Sequence, residues 1–303
     1  MSNLLKNRHE LLFLYDARDT NPNGDPIDEN KPRIDEETGI NIVTDVRLKR
    51  SIRDYLSDYK GLEVFVKEVR KEDGTLKTKE DRLNDLNITY AEDLLKKCID
   101  IRLFGATAAI KNKTITFTGP IQFKFGRSLH PVKLQYVKGT TVMPSKEAKG
   151  QGTFTEVYIL PYSLIAFYGI ANEYLAQITQ MTEDDLELLL EAMWNGTKNL
   201  ISRSKVGQMP RLLLDIEYQE NNFHLGDLDK YIKLETNVEP EAIRDISEVK
   251  INLSSLLNLL NENAERIKKI RWAKDERLNS IPDLNEEELK TTTQVKLIEE
   301  LNF

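Results

Sequence analysis

Two stretches decide how this chain folds: Glu10–Ala17, ELLFLYDA, and Thr44–Tyr59, TDVRLKRSIRDYLSDY. The first is a short apolar run and reads as a buried strand. The second reads as a helix, with Thr44 to cap it and Asp45 in its first turn. Leu48, Ile52, Tyr55, Leu56 and Tyr59 share one face of it at helical spacing. On the same wheel Lys49 and Arg53 stand together at one edge of the buried side, while Arg50 and Arg47 continue around the exposed surface. Two cations at such an edge suit adjacent phosphates. The alternative is a solvated basic face paired within the helix as Asp45–Lys49 and Arg50–Asp54.

Working outward, Ile115–Phe125 alternates around Gly119-Pro120 and predicts a bent or two-part strand. Thr155–Tyr168 is strand-like, Glu183–Asn195 is an amphipathic helix closing near Gly196, and Arg211–Tyr218 is another strand. The order β, α, β, β, α, β is the split βαβ, ferredoxin-like arrangement shared by RNA-recognition folds, an α+β class. Residues 60–97 are charged and weakly periodic, like an insertion. Residues 130–155 carry Gly139, Gly150 and Gly152 and suggest a protruding hairpin. From Ile251 onward the Leu-, Glu- and Lys-rich sequence predicts helices packed on the sheet.

Length and composition bound the function. With 303 residues the chain is long enough for a full core, and one cysteine, Cys98, excludes an intramolecular disulfide framework and a cysteine-rich zinc site. No apolar run reaches the ~18 residues of a membrane span. The opening MSNLLKNRHE lacks a signal-peptide apolar region, so no membrane is expected and the cytoplasm is. The net charge is −7, yet residues 101–150 hold nine Lys/Arg against one acid, Glu147. An acidic body with a basic middle segment binds a polyanion locally.

Asp19–Asp25, DTNPNGD, matches the opening of a calcium loop, but the expected glutamate at its twelfth position is Asn30 and a strand precedes it. A tight turn at Asn23-Gly24 facing a ligand is the other reading. His9, His130 and His224 lack metal-site spacing, and no phosphate-binding glycine loop is present, so no catalytic residue, metal or cofactor is expected. Phe117, Phe123, Phe125 and Tyr136 lie near the basic segment, either as core or as stacking platforms for bases.

Several blocks together resemble the backbone subunit of type I CRISPR Cascade complexes, a branch of the RAMP superfamily. They are Asn21–Pro26 (NPNGDP), Pro32–Asp35 (PRID), Val43–Arg50 (VTDVRLKR) with Ile52-Arg53, Asp100–Gly105 (DIRLFG), Gly119–Gln122 (GPIQ) and Gly126–Ser128 (GRS). The likeness is to subtype I-B, with I-C a near neighbour, and spans roughly residues 8–215. It implies an RNA-recognition-like palm in residues 1–58, 114–128 and 156–220. A finger or web falls at 59–113, a thumb at 129–155, and a mainly helical region at 221–303. It further implies copies polymerised as a helical filament on a CRISPR guide RNA, kinking it and presenting it to target DNA. Other Cascade partners are the large, small and guide-end-capping subunits, with a helicase-nuclease met indirectly. The RNA-binding set is then Lys49, Arg53, Arg50, Arg47, Asn21, Asn23, Arg33, Lys124 and Arg127, with Val142 and Met143 as the apolar wedge at the thumb tip. Such a filament needs phosphate contacts indifferent to base sequence, which those cations supply. Two other classes compete: a metal-dependent endoribonuclease of the related type III kind, opposed by a thumb with no Asp and only Glu147, and a calcium-binding interaction module.

Overall fold

The computed structural model describes residues 3–110, 113–140 and 154–303. Its first long element is β1, His9–Thr20. The loop after it holds a small hairpin, β2 (Gly24–Asp25) with β3 (Lys31–Pro32), and β4 (Ile40–Val43) then leads into helix α1 (Asp45–Asp58). Short helices α2 (Lys79–Asp85), α3 (Ala91–Lys97) and α4 (Ile99–Phe104) precede the hairpin of β5 (Gly105–Ile110) and β6 (Lys113–Thr118). Strands β7 (Ile121–Phe123), β8 (Gly126–Pro131), β9 (Gln135–Thr140) and β10 (Phe154–Ala171) follow. Helices α5 (Glu173–Thr179) and α6 (Glu183–Lys198) lead to β11 (Gln208–Tyr218). The rest comprises β12 (Lys233–Thr236), β13 (Val249–Asn252), α7 (Ser254–Glu262), β14 (Ile267–Lys274), β15 (Ser280–Ile281), α8 (Glu286–Thr292) and β16 (Ile298–Glu300).

The main sheet runs β16-β14-β11-β1-β10-β8-β4, with β7 and β9 also on β10. Strand β1 lies between β10 and β11, antiparallel to both. The predicted β, α, β, β, α, β order is therefore present as β1, α1, β7/β8, β10, α6, β11. Strand β1 is apolar on consecutive residues because both faces of the sheet are covered. Leu11, Phe13 and Tyr15 pack with Leu48, Ile52 and Leu56 of α1 and Leu186, Leu189 and Met193 of α6. Leu12 and Leu14 pack instead against the C-terminal region, with Ile251, Leu256 and Leu260. Helix α6 closes near Gly196 as expected, two residues on at Lys198. Gly196 is the point where it crosses α1: a Cβ there would lie 3.0 Å from the Ser51 carbonyl oxygen.

The 60–97 insertion carries a small core of its own, Phe65, Leu83, Ile88, Leu94, Leu95, Cys98 and Ile101. Ile115–Phe125 is two strands, as expected: β6 pairs with β5, and β7 joins β10. The protruding hairpin is β9 on β10, Thr140 opposite Phe154. Val142 and Met143 lie outside the described residues.

The expectation of a mainly helical region at 221–303 is corrected. Only α7 and α8 are α-helices among its described elements, and β14 pairs antiparallel with β11 and extends the main sheet. Ile267, Ile270 and Trp272 are drawn into the second core, and the open edge of β11 outweighs the helix-like composition. No helix among the described residues is long and apolar enough to cross a membrane.

Candidate nucleic-acid interface

The start of α1 is built by the loop before it. Asn23 Oδ1 accepts from both the Thr44 amide and the Thr44 hydroxyl, each at 2.8 Å. Thr44 is the N-cap residue, but its own side chain makes no cap bond. Asn23 instead fixes the N-cap residue in place by taking its amide, one of the four donors that a helix start leaves without an intrahelical partner. Asn21 is 2% exposed and donates to the Asn30 carbonyl at 2.6 Å. It braces the loop from inside and presents nothing to a ligand. Asp25 is engaged by Arg33, and Asp19 lies 3.8 Å from Arg18. The carboxylates of the calcium-like motif thus diverge, and no group of three metal-ligating residues occurs among the described residues.

The expectation of an open Lys49/Arg53 clamp is corrected. Lys49 is 8% exposed and its ammonium is 2.9 Å from Asp45. Arg53 Nε donates to Asp100 at 2.9 Å, and Asp100, fully buried, also accepts from the Phe65 and Val66 amides. Both cationic heads stand over the Phe104 ring, at 5.7 and 4.9 Å. These contacts tie α1 to α4 and to the 60–97 insertion. The local pairing Arg50–Asp54, 2.7 Å, also forms. Both pairs of the alternative reading thus form, but the face is neither solvated nor paired only within the helix, since Lys49 is buried and Arg53 is held by Asp100 of α4.

Open surface lies on either side of the helix start. One trough, about 480 Å³, runs between α1 and the 60–97 insertion and is lined by Val46, Arg50, Arg53, Phe65, Val66, Lys67, Glu68, Lys77, Thr78, Lys79 and Arg82. Six of its lining residues are cations and one is an acid. Arg50, Arg53, Lys77 and Arg82 are held from outside the trough by Asp54, Asp100, Asp85 and Glu63. Lys67 and Lys79 are not: Lys67 reaches only the Ser57 hydroxyl, 3.1 Å, and Lys79 only the Thr107 carbonyl, 3.2 Å. Among the described residues neither has a carboxylate partner. Sequence reasoning missed both; the alternation Lys77-Thr-Lys79 in a segment without helical period was the available signal.

A second trough, about 670 Å³, lies between the β2–β3 loop, β4 and the segment from Phe125 to Leu134. Its charges balance, with Lys31, Arg33 and Arg127 against Asp25, Asp28 and Glu36. Phe125 and Leu134 are 53% and 40% exposed within it. A neutral trough with an open aromatic ring suits stacking more than phosphate binding. Arg127 is its loosest cation, exposed and 3.8 Å from Asp35. The two troughs are lined by neighbours at the head of α1, Thr44 in this one and Val46 in the other.

Two expected residues fall elsewhere. Lys124 pairs with Asp227 and stands 4.9 Å over the Tyr168 ring, in neither trough. Arg47 points behind α1, its Nη2 on the Ser51 hydroxyl. Of the four aromatics, Phe123 is core, Phe117 packs half-buried on the small core around Phe65 and Leu94, and Phe125 and Tyr136 are exposed. His130 is buried, with Nδ1 against the Pro131 and Pro240 carbonyls and Nε2 accepting from the Leu164 amide, and burial lowers its pKa.

Comparison with known proteins adds three findings. The family model described as CRISPR-associated protein Cas7 matches residues 7–254. A CRISPR-associated protein Cas7 of Haloferax volcanii is 35% identical over an alignment of 302 positions, covering 90% of this chain and 88% of its own. Two chains of solved structures, a CRISPR RNA-guided surveillance complex and one described as pre-nicking, superpose with a TM-score of 0.57 each. They are 14% and 12% identical, and the alignments cover 98% and 95% of this chain and 95% and 99% of theirs. At that identity they speak for the fold alone.

Proposed function

The chain belongs to the CRISPR-associated Cas7 family, and on that premise we propose that it is the guide-RNA-binding backbone subunit of a type I Cascade complex of subtype I-B, working in the cytoplasm. Copies polymerise along a CRISPR RNA and present it to target DNA, with the large, small and guide-end-capping subunits completing the assembly. The observation that carries this reading is the α1–finger trough, where Lys67 and Lys79 hold charge that no carboxylate among the described residues answers. Phosphates of the guide lie there without regard to sequence, joined by Arg50 at its rim. Arg33, Arg127 and Phe125 border the path of the bases in the neutral trough. Asn23, Lys49 and Arg53 position α1 rather than touch RNA. The division into palm, finger, thumb and C-terminal region belongs to the same proposal, with Val142 and Met143 as the thumb wedge.

The subunit performs no chemistry of its own in this reading. Purified protein is expected to carry small RNAs of uniform length, and the nuclease-treated protein to bind unrelated single-stranded RNAs with equal affinity. Protein free of RNA that also fails to retain any added RNA at low salt overturns the reading. Magnesium-dependent cleavage of labelled complementary RNA that disappears in Glu147→Ala replaces it with the endoribonuclease.

A further inference from the structure

The chain contains the dipeptide Asn-Gly twice, at Asn23-Gly24 and at Asn195-Gly196. In this pairing the side-chain amide is open to attack by the next backbone nitrogen, because glycine has no side chain to shield it. Gly24 N and Asn23 Cγ close a five-membered ring by rotation about the Asn23 Cα–C and Cα–Cβ bonds alone. The second Asn-Gly stands inside α6, where the Asn195 carbonyl accepts from the Asn199 amide at 2.8 Å and Gly196 is wedged against α1. Helical ψ keeps the ring open there. Asn21, in the same loop as Asn23, is followed by Pro22, which has no N–H to give up.

Asn23 differs from both. It lies outside any helix and is half-buried, within reach of water. Its side-chain carbonyl is met by two donors, the Thr44 amide and the Thr44 hydroxyl, each at 2.8 Å. A backbone N–H only donates, so the atom facing it is Oδ1 and the amine lies on the other side. That amine, Nδ2, is 3.4 Å from the Gly24 carbonyl oxygen, which lays the side chain along the Gly24 peptide. Two donors at such a distance stabilise the oxyanion that forms when a nucleophile adds to a carbonyl carbon. Thr44 spends its hydroxyl on Asn23 and not on capping its own helix. Gly24 is also fixed in place, since a Cβ on it would collide with the Asn30 side chain.

We propose that Asn23 is a self-modification site, at which the folded chain deamidates its own side chain with Thr44 holding the oxyanion. Solvent hydroxide takes the Gly24 N–H proton, and the nitrogen adds to Asn23 Cγ. The Cγ–Nδ2 bond then breaks, and ammonia leaves with a proton from water. Water opens the resulting succinimide at either carbonyl and leaves aspartate or isoaspartate at position 23. The net change is asparagine plus water to aspartate plus ammonia, with nothing oxidised or reduced. The aspartate still accepts from the Thr44 amide and hydroxyl, and its charge lies at the head of α1, where the helix dipole favours it. The isoaspartate lengthens the main chain by a methylene between β1 and β2.

Full-length wild type is incubated in mildly alkaline buffer, both native and unfolded in urea, and digested at acid pH. Mass spectrometry follows the peptides that hold Asn23 and Asn195, and isoaspartyl methyltransferase labelling separates isoaspartate from aspartate. Native protein converts at position 23 faster than the urea-unfolded chain, while Asn195 converts only in urea. Thr44→Val keeps the amide but loses the hydroxyl, and slows native conversion at position 23 by about tenfold. Thr44→Ser keeps the wild-type rate. A native rate at or below the rate in urea overturns the proposal, since the fold then protects Asn23 from its neighbour. So does a folded Thr44→Val variant that converts as fast as wild type or faster. Asn195 in the same digest reports folding: a variant that converts there in buffer is unfolded, and the wild-type comparison of native with urea then decides alone.

Discussion

Replacing Lys67 and Lys79 together by alanine separates cations that meet phosphate from cations that hold the fold. Both residues line the trough between α1 and the 60–97 insertion and, among the described residues, reach only neutral oxygens, so removal leaves no described carboxylate orphaned. Each phosphate contact on a single strand contributes about 0.7 to the slope of log K against log salt. Losing two lowers the slope by about 1.4. Between about 50 and 200 mM salt a fourfold change in concentration weakens each contact about 2.6-fold, so wild type loses about sevenfold more affinity than the double variant over that range. Lys49→Ala is the control. Its charge is already answered by Asp45 at 2.9 Å, so the slope stays within about 0.3 of wild type, while an uncompensated Asp45 lowers stability. The measurement is fluorescence anisotropy with two single-stranded RNAs of unrelated sequence over a salt series. A slope unchanged in the Lys67/Lys79 variant but reduced by Lys49→Ala refutes the assignment, and a sequence-dependent loss refutes backbone binding altogether.

Asp100→Ala leaves the half-buried Arg53 without its anion and the Phe65 and Val66 amides without that acceptor, which costs about 3 kcal/mol by urea unfolding; a loss below about 1 kcal/mol contradicts the anchoring role. Asn23→Ala removes the acceptor of the Thr44 amide and hydroxyl at the start of α1 and lowers stability by about 1 kcal/mol, with Asn23→Asp restoring most of it, as read by thermal melts. Burial alone raises the Asp215 pKa, but His9 and Arg271 beside it outweigh that and hold it at about 2. With the folded value below the ordinary 3.8, its contribution is present above that pH and lost as pH falls from there toward about 2. Asp215→Asn therefore flattens the fall of stability across that window, and an unaltered acid limb disproves the coupling.

The central strand was legible because burial on both faces leaves a mark that needs no tertiary knowledge. Leu11 to Leu14 admit no polar residue, since Leu11 and Phe13 meet α1 and α6 while Leu12 and Leu14 meet the C-terminal region. The C-terminal third was misread for a complementary reason. Ile267–Lys274, IKKIRWAK, has too many lysines to announce a strand, and only the open edge of β11 makes it one. Ladder hydrogen bonds and the burial of Ile270 and Trp272 are supplied by residues more than fifty positions earlier.

The site divides along the same line. Contacts one helical turn apart, Asp45–Lys49 and Arg50–Asp54, follow from spacing. The helix wheel also places Arg53 at the edge of the buried face, where it stands. What the wheel lacks is Asp100, forty-seven positions on, which turns that edge into an anchor. Whether a cation is free is a statement about which carboxylates the fold fails to bring near it, so it has no local signature. Lys67 and Lys79 sit in an unremarkable charged stretch. The fold leaves them open on the side of α1 that faces the 60–97 insertion. In a chain of net charge −7, with most described cations matched to an acid, those unanswered charges are where a polyanion gains most on contact, because it displaces no resident carboxylate. Affinity for phosphate thus follows from the exceptions to charge pairing, whereas the basic motif on the face of α1, conspicuous as it is in the sequence, is largely occupied in holding the helix to its neighbours.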